Sequence, residues 1–122
     1  MQMNPHMLPK VRSEALRRSA IDMPCTLKLA GFAGHPCSGR NTNVMAHLPV
    51  HGKGVSTKVS DLHMACGCAV CHDLLDGRNA LGALIREKYP HAFWEQLFKA
   101  HAETLSRWVS MGLINGTDWE II

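Results

Sequence analysis

Residues 61–78 read DLHMACGCAVCHDLLDGR, and this stretch decides the fold. Cys68-Ala-Val-Cys71-His72 sets two thiolates on a tight turn and an imidazole at the first step of a predicted helix ending near Gly77. A CxxC followed directly by His has three chemical readings. It is half of a zinc knuckle leading into a metal-binding helix, a c-type haem attachment site, or a redox dithiol.

The rest of the chain chooses among them. With 122 residues, 46% hydrophobic and 19% charged, it reads as one small soluble domain, in which a metal staple would help a modest core. No apolar run approaches the roughly 20 residues of a membrane helix. The start, MQMNPHMLPKVR, lacks the apolar core of a secretory signal, so a cytoplasmic location is expected. A reducing compartment steers clustered thiols toward metal or catalysis and away from disulfides. Haem attachment normally follows export and leaves Cys25 and Cys37 idle. A redox CxxC lacks its βαβ surroundings here.

Metal binding remains, and five cysteines make four tetrahedral ligands with one left over. Cys68 and Cys71 form one half-site. Cys25 and Cys37, with eleven residues between them, form the other if Gly31, Gly34 and Pro36 turn the chain back. His35 is an alternative to Cys37, and Cys66 to Cys68; otherwise Cys66 is a small buried side chain.

Periodicity sets the elements around this stretch. A short helix is predicted over residues 10–20, opened by Ser13 and Glu14. Strands are predicted over residues 25–29, 44–48 and 61–65, and a basic loop over residues 49–60. Helices follow over residues 72–78, 81–88 and 90–112, the last with Phe93, Trp94, Leu97, Phe98, Leu105, Trp108 and Val109 as a core-facing stripe. Residues 1–9 are expected to be poorly ordered. The fold class is α+β, in a single domain with residues 81–114 packing on the core.

The net charge is +3, concentrated in the front and centre of the chain: residues 1–20 carry +3 and residues 25–78 carry +2. That distribution suits a surface facing phosphates. His72 and Asp76 share a helical face at i,i+4, a pair able to hold a divalent ion with positions left for water and phosphate. His47 ends a strand that precedes the basic loop. From there a general base would face a metal across a two-strand-plus-helix unit.

Cys25, Cys37, Ala46-His47-Leu48, the glycine-containing loop ending at Lys58-Val-Ser-Asp61-Leu62, and Cys68-Ala-Val-Cys71-His72-Asp73 with Asp76 and Arg78 resemble the HNH-like, ββα-metal nucleases. Within these they are similar to the small lambdoid-prophage nucleases of the YbcO type. Residues 103–114, ETLSRWVSMGLI, resemble that family's closing helix, so the likeness covers about residues 12–114.

The resemblance implies a zinc-stabilised ββα-metal core, with structural Zn2+ on Cys25, Cys37, Cys68 and Cys71. It implies His47 as general base and His72, with Asp76, on a catalytic Mg2+ or Mn2+. Arg12, Arg17, Lys53 and Lys58 would hold the DNA backbone without reading sequence. The expected function is a metal-dependent DNA endonuclease of phage or prophage type in the cytoplasm of a bacterial host, with host or phage recombination proteins as partners. The chain departs from the pattern at Ala46, where many such sites carry an acidic or His ligand, and at Asp61, which fills the central Asn slot. The alternative is a non-enzymatic zinc-knuckle module that binds DNA.

Overall fold

The computed structural model describes residues 9–49 and 59–122. In chain order the elements are β1 (Val11–Arg12), α1 (Glu14–Arg18), β2 (Val44–His47), β3 (Met64–Gly67), α2 (Ala69–Asp76), α3 (Ala80–Lys88), α4 (Pro90–Ser110) and β4 (Glu120–Ile121). Short 3-10 turns cover Ser19–Asp22, Ala30–Ala33 and Arg40–Thr42. The architecture is therefore α+β, with strand, loop, strand and helix following one another around the CxxC.

β2 and β3 pair antiparallel, with Ala46 opposite Ala65 and His47 opposite Met64. Strand alternation sends successive side chains to opposite faces, and both faces of this hairpin are covered. Ala46, Leu48 and Ala65 join a core with Leu74 and Leu75 of α2, Ile85 of α3, and Phe93 and Leu97 of α4. Met64 and Cys66 join Leu16, Ala20, Met23 and Trp108 in a second core, against which Met45 packs. Each fully buried Leu- or Phe-sized side chain contributes roughly 1.5–3 kcal/mol, so the hairpin is held from both sides.

The helices start and stop for local reasons. The Ser13 hydroxyl accepts from the Leu16 N–H and opens α1. Asn79 does the same for α3 through Gly82, and Pro90 sits in the first turn of α4. Gly77 closes α2 at φ 64°, a left-handed conformation that costs glycine little. α2 and α3 then approach closely: a Cβ at Gly82 would lie 2.8 Å from the Leu74 carbonyl oxygen.

Several expectations are corrected. Residues 25–29 are not a strand. The Thr26 and Leu27 N–H groups both donate to the Cys66 carbonyl, and Lys28 turns the chain at φ 50°. α1 is shorter than residues 10–20, because Val11 and Arg12 pair instead with Ile121 and Glu120 of the C-terminal tail. The third predicted strand begins only at Met64, after a turn over residues 61–63.

The aromatic stripe of α4 is core only in part. Phe93, Leu97 and Trp108 are buried on one line with Ala100 and Thr104, whereas Trp94 and Phe98 are 46% and 76% exposed, with Leu105 and Val109 also exposed. The buried line advances by three or four residues per step. Positions 94, 98, 105 and 109 lie one residue further round the helix and miss the core. Residues 1–8 and the basic loop from 50 to 58, including Lys53 and Lys58, lie outside the described residues.

Gly82→Ala should destabilise the protein by about 1–3 kcal/mol in chemical denaturation, because the added methyl meets backbone that cannot move aside. An unchanged denaturation midpoint would show that α2 and α3 are not packed this closely.

Candidate metal centre and histidine cleft

Four cysteines from three segments converge at the junction of β3 and α2. The Sγ atoms of Cys25, Cys37, Cys68 and Cys71 all lie within 4.8 Å of one another. Cys68 occupies the N-cap position of α2 and Cys71 its first turn, so the CxxC bends around the helix start. Cys25 follows Pro24 in irregular chain. Cys37 follows the left-handed Gly34 that ends the 3-10 turn over Ala30–Ala33.

Cys37 Sγ and Cys71 Sγ are 3.8 Å apart, far from the roughly 2.05 Å of a disulfide. Zn–S bonds of about 2.3 Å in a tetrahedron separate the sulfurs by about 3.8 Å, so the donor set fits zinc. Backbone N–H groups supply the outer contacts. Ala30 donates to Cys71 Sγ at 3.3 Å, Ser38 to Cys68 Sγ at 3.4 Å, and Cys68 to Cys25 Sγ at 3.4 Å. These four residues could hold a metal ion such as zinc.

Without a cation the thiols compete for negative charge. A hydrogen bond with Cys71 lowers the Cys25 pKa to about 5, and Cys71 is pushed up in turn by the same bond. Burial, with the charge on Cys25, raises Cys37 to about 11. Burial also opposes charge on Cys68, but N–H groups of Cys71 and Ser38 bring its pKa down. A divalent cation removes the conflict, since each sulfur then binds as thiolate. Cys66 stands apart, buried beside Ala20 and raised to about 12 by that burial, as an inert apolar side chain.

The second constellation surrounds His47. Its Nε2 lies 2.8 Å from Asp61 Oδ1, and Asp61 is completely buried. Arg17 Nε donates to Asp61 Oδ2 at 2.8 Å and its Nη2 to Oδ1 at 3.1 Å, a two-pronged grip. The Ser13 N–H adds a third bond at 2.8 Å. Burial works against the Asp61 charge, but Arg17, Ser13 and His47 together hold its carboxyl below the ordinary 3.8. His47 itself is 31% exposed and lines a cleft of about 320 Å³ with Arg17, Arg18, Asn43 and Met45.

His72 and Asp76 meet on α2, Nε2 to Oδ2 at 3.2 Å, and Arg78 reaches the same carboxylate oxygen at 3.0 Å. Both side chains are about three-quarters covered. Their donor set, one imidazole and one carboxylate, suits a divalent ion that replaces the internal contact. Among the described residues, however, the four thiols are the only convergent group of three or more metal-ligating side chains.

The structure thus gathers His47, Asp61 and Arg17 into one set and His72, Asp76 and Arg78 into another. It buries Ala46 in the apolar core. Arg12 is exposed on β1. Sequence reading passed over Arg18 and Ser13 at this site. Arg18 carries the signal of a second arginine beside Arg17, whereas the Ser13 backbone contact leaves no trace in residue type.

A mixed helix-and-sheet protein with a metal-competent four-cysteine cluster is the class these features define. A family model described as Putative nuclease YbcO matches residues 14–113, and the chain belongs to that family. The family's name suggests a nuclease, and with it hydrolase activity and DNA as substrate. No curated protein and no solved structure matches the chain. Among the described residues, no helix is long and apolar enough to cross a membrane.

Metal analysis of the purified protein should find one zinc per chain, lost in Cys68→Ser. Chelation should lower Tm by on the order of 10 °C or more. A metal-free protein with unchanged Tm would contradict the site. Because the folded Asp61 pKa is depressed, the stability it contributes is present above the unfolded value and fades as pH falls through the folded one. Below about pH 4 the wild type should therefore lose stability more steeply than Asp61→Asn in denaturant titrations.

Proposed function

We propose that the protein is a metal-dependent DNA endonuclease of the HNH-like, ββα-metal type, phage or prophage in origin and acting in the bacterial cytoplasm. One observation carries this reading: His47 is backed by a buried carboxylate and lines a cleft that also holds Arg17 and Arg18. A phosphodiester in that cleft would meet a proton acceptor and cationic side chains together.

His47 takes a proton from water as the water oxygen attacks phosphorus. The bond to the leaving sugar oxygen breaks, and that oxygen takes a proton from solvent. Arg18 in the cleft and the exposed Arg12 hold backbone phosphates without reading bases. His72 and Asp76 would hold a Mg2+ or Mn2+ ion, whose charge would offset the negative charge that develops in the step. The zinc on Cys25, Cys37, Cys68 and Cys71 is structural. Host or phage recombination proteins are the partners this role implies.

Buried Ala46 favours a second reading, because the position offers no metal ligand. In that reading the chain binds DNA through its zinc-stapled fold and cuts nothing.

Supercoiled plasmid incubated with Mg2+ or Mn2+ separates the two. Nicking should occur, and His47→Ala should slow it by at least about 100-fold with zinc content unchanged. Retention of DNA without nicking would favour the binding module. Nicking undiminished in His47→Ala would remove the mechanism.

A further inference from the structure

The outward shoulder of α4 is apolar. Trp94, Phe98, Leu105 and Val109 are each between 40% and 76% exposed. Helical steps of four, seven and four residues set them on one stripe, about 60° wide and roughly 22 Å long. Beside its N-terminal half, Trp94 and Phe98 join Leu48, His63, Leu97 and His101 around an apolar groove of about 260 Å³. Burial, with His101 nearby, lowers the His63 pKa from its ordinary 6.5, so that ring is mainly neutral at pH 7.

The order of side chains along the stripe suits a second copy of the same helix running the other way. Trp94 and Val109 are equidistant from the midpoint between His101 and Ala102, and so are Phe98 and Leu105. A two-fold axis at that midpoint sets each aromatic ring against an aliphatic side chain of the other copy, twice over, as an isologous contact requires. The exposed Ala102, with nothing beyond Cβ, lets the helices close at the axis.

Area and charge agree with that occupant. The four side chains present on the order of 400 Å² of apolar surface per chain, about 800 Å² in a pair. An interface about two-thirds apolar would then cover roughly 1,200 Å² in all, the lower edge of the range for stable complexes. Glu95 and Lys99 flank the stripe and neutralise each other at 3.0 Å, so the two-fold axis brings no net like charge together. Arg86, 6.0 Å from the Trp94 ring, donates to the Leu75 carbonyl at 2.7 Å. Both cations have partners within the chain, which favours a protein surface over a phosphate backbone.

We propose that this stripe is a homodimer interface, with α4 packed antiparallel on α4 of a second copy and Leu105 of that copy entering the groove beside Phe98. Leu48 lines the groove while His47 lines its own cleft, so the contact leaves the cleft open. The dimer and the nuclease reading stand independently.

Sedimentation equilibrium of the zinc-loaded full chain should show mainly dimer at about 100 μM. Phe98→Glu and Val109→Glu, both at exposed positions, should each weaken the dimer by at least about 100-fold with zinc content unchanged. Register is read by cross-linking: under mild oxidation Ala102→Cys, beside the axis, should form a covalent dimer and Ser110→Cys should not. A wild type that stays monomeric at about 500 μM would overturn the proposal, as would a dimer that both glutamate variants leave intact or one cross-linked through Ser110→Cys and not Ala102→Cys. A monomer whose retention of single-stranded DNA falls in Phe98→Glu would also overturn it and assign the stripe to base stacking.

Discussion

A carboxylate buried without surface exposure must be answered on every side, and Asp61 is answered by three residues from two parts of the chain at once. Its side chain takes Ser13 and Arg17 from the N-terminal segment and His47 from β2, while its own N–H donates to the Val11 carbonyl at 2.7 Å. Leaving a buried charge unpaired costs several kcal/mol. The turn before β3, the α1 segment and the end of β2 are therefore stable only when assembled. The C-terminal tail closes the same corner: Asp118 accepts from the Ser13 hydroxyl at 2.7 Å and the Ala15 N–H at 2.9 Å, and β4 pairs with β1.

The thiol cluster is a second constraint at the other end of β3. Cys25 and Cys37 come from chain with little regular structure, so a shared ion is the strongest tie available to hold them against Cys68 and Cys71. Two-sided burial of the hairpin links the corners. One face carries Ala46 and Ala65 against α2, α3 and α4; the other carries Met64 and Cys66 against α1 and Trp108. In the proposed enzyme the thiols maintain the fold and the histidine at the far end of the hairpin carries the chemistry.

The sequence made the centre of this fold legible and its edges less so. The CxxC, Gly77 and the apolar run at residues 44–48 placed β2, β3 and α2 because each is a local signal: a metal half-site, a left-handed cap, a strand period. Convergence of Cys25 and Cys37 on that half-site was also readable from ligand count. Residues 25–29 misled because alternating side chains need no strand partner when Thr26 and Leu27 already share one carbonyl. The pairing of β1 with β4 spans the whole chain and has no local signature. Arg17 and Asp61 read as a DNA contact and a central-slot residue, since residue type does not reveal that the fold brings together two positions 44 apart in sequence. The exposed aromatics of α4 were misplaced for a similar reason, as periodicity fixes a face but not its width.

Water activation at His47 is the central chemical claim, and the origin of the oxygen in the product tests it most directly. DNA cleaved in 18O-enriched water should gain one labelled oxygen on the new terminal phosphate in a single turnover. Product without label, or no product from zinc-loaded protein supplied with Mg2+ or Mn2+, would contradict it.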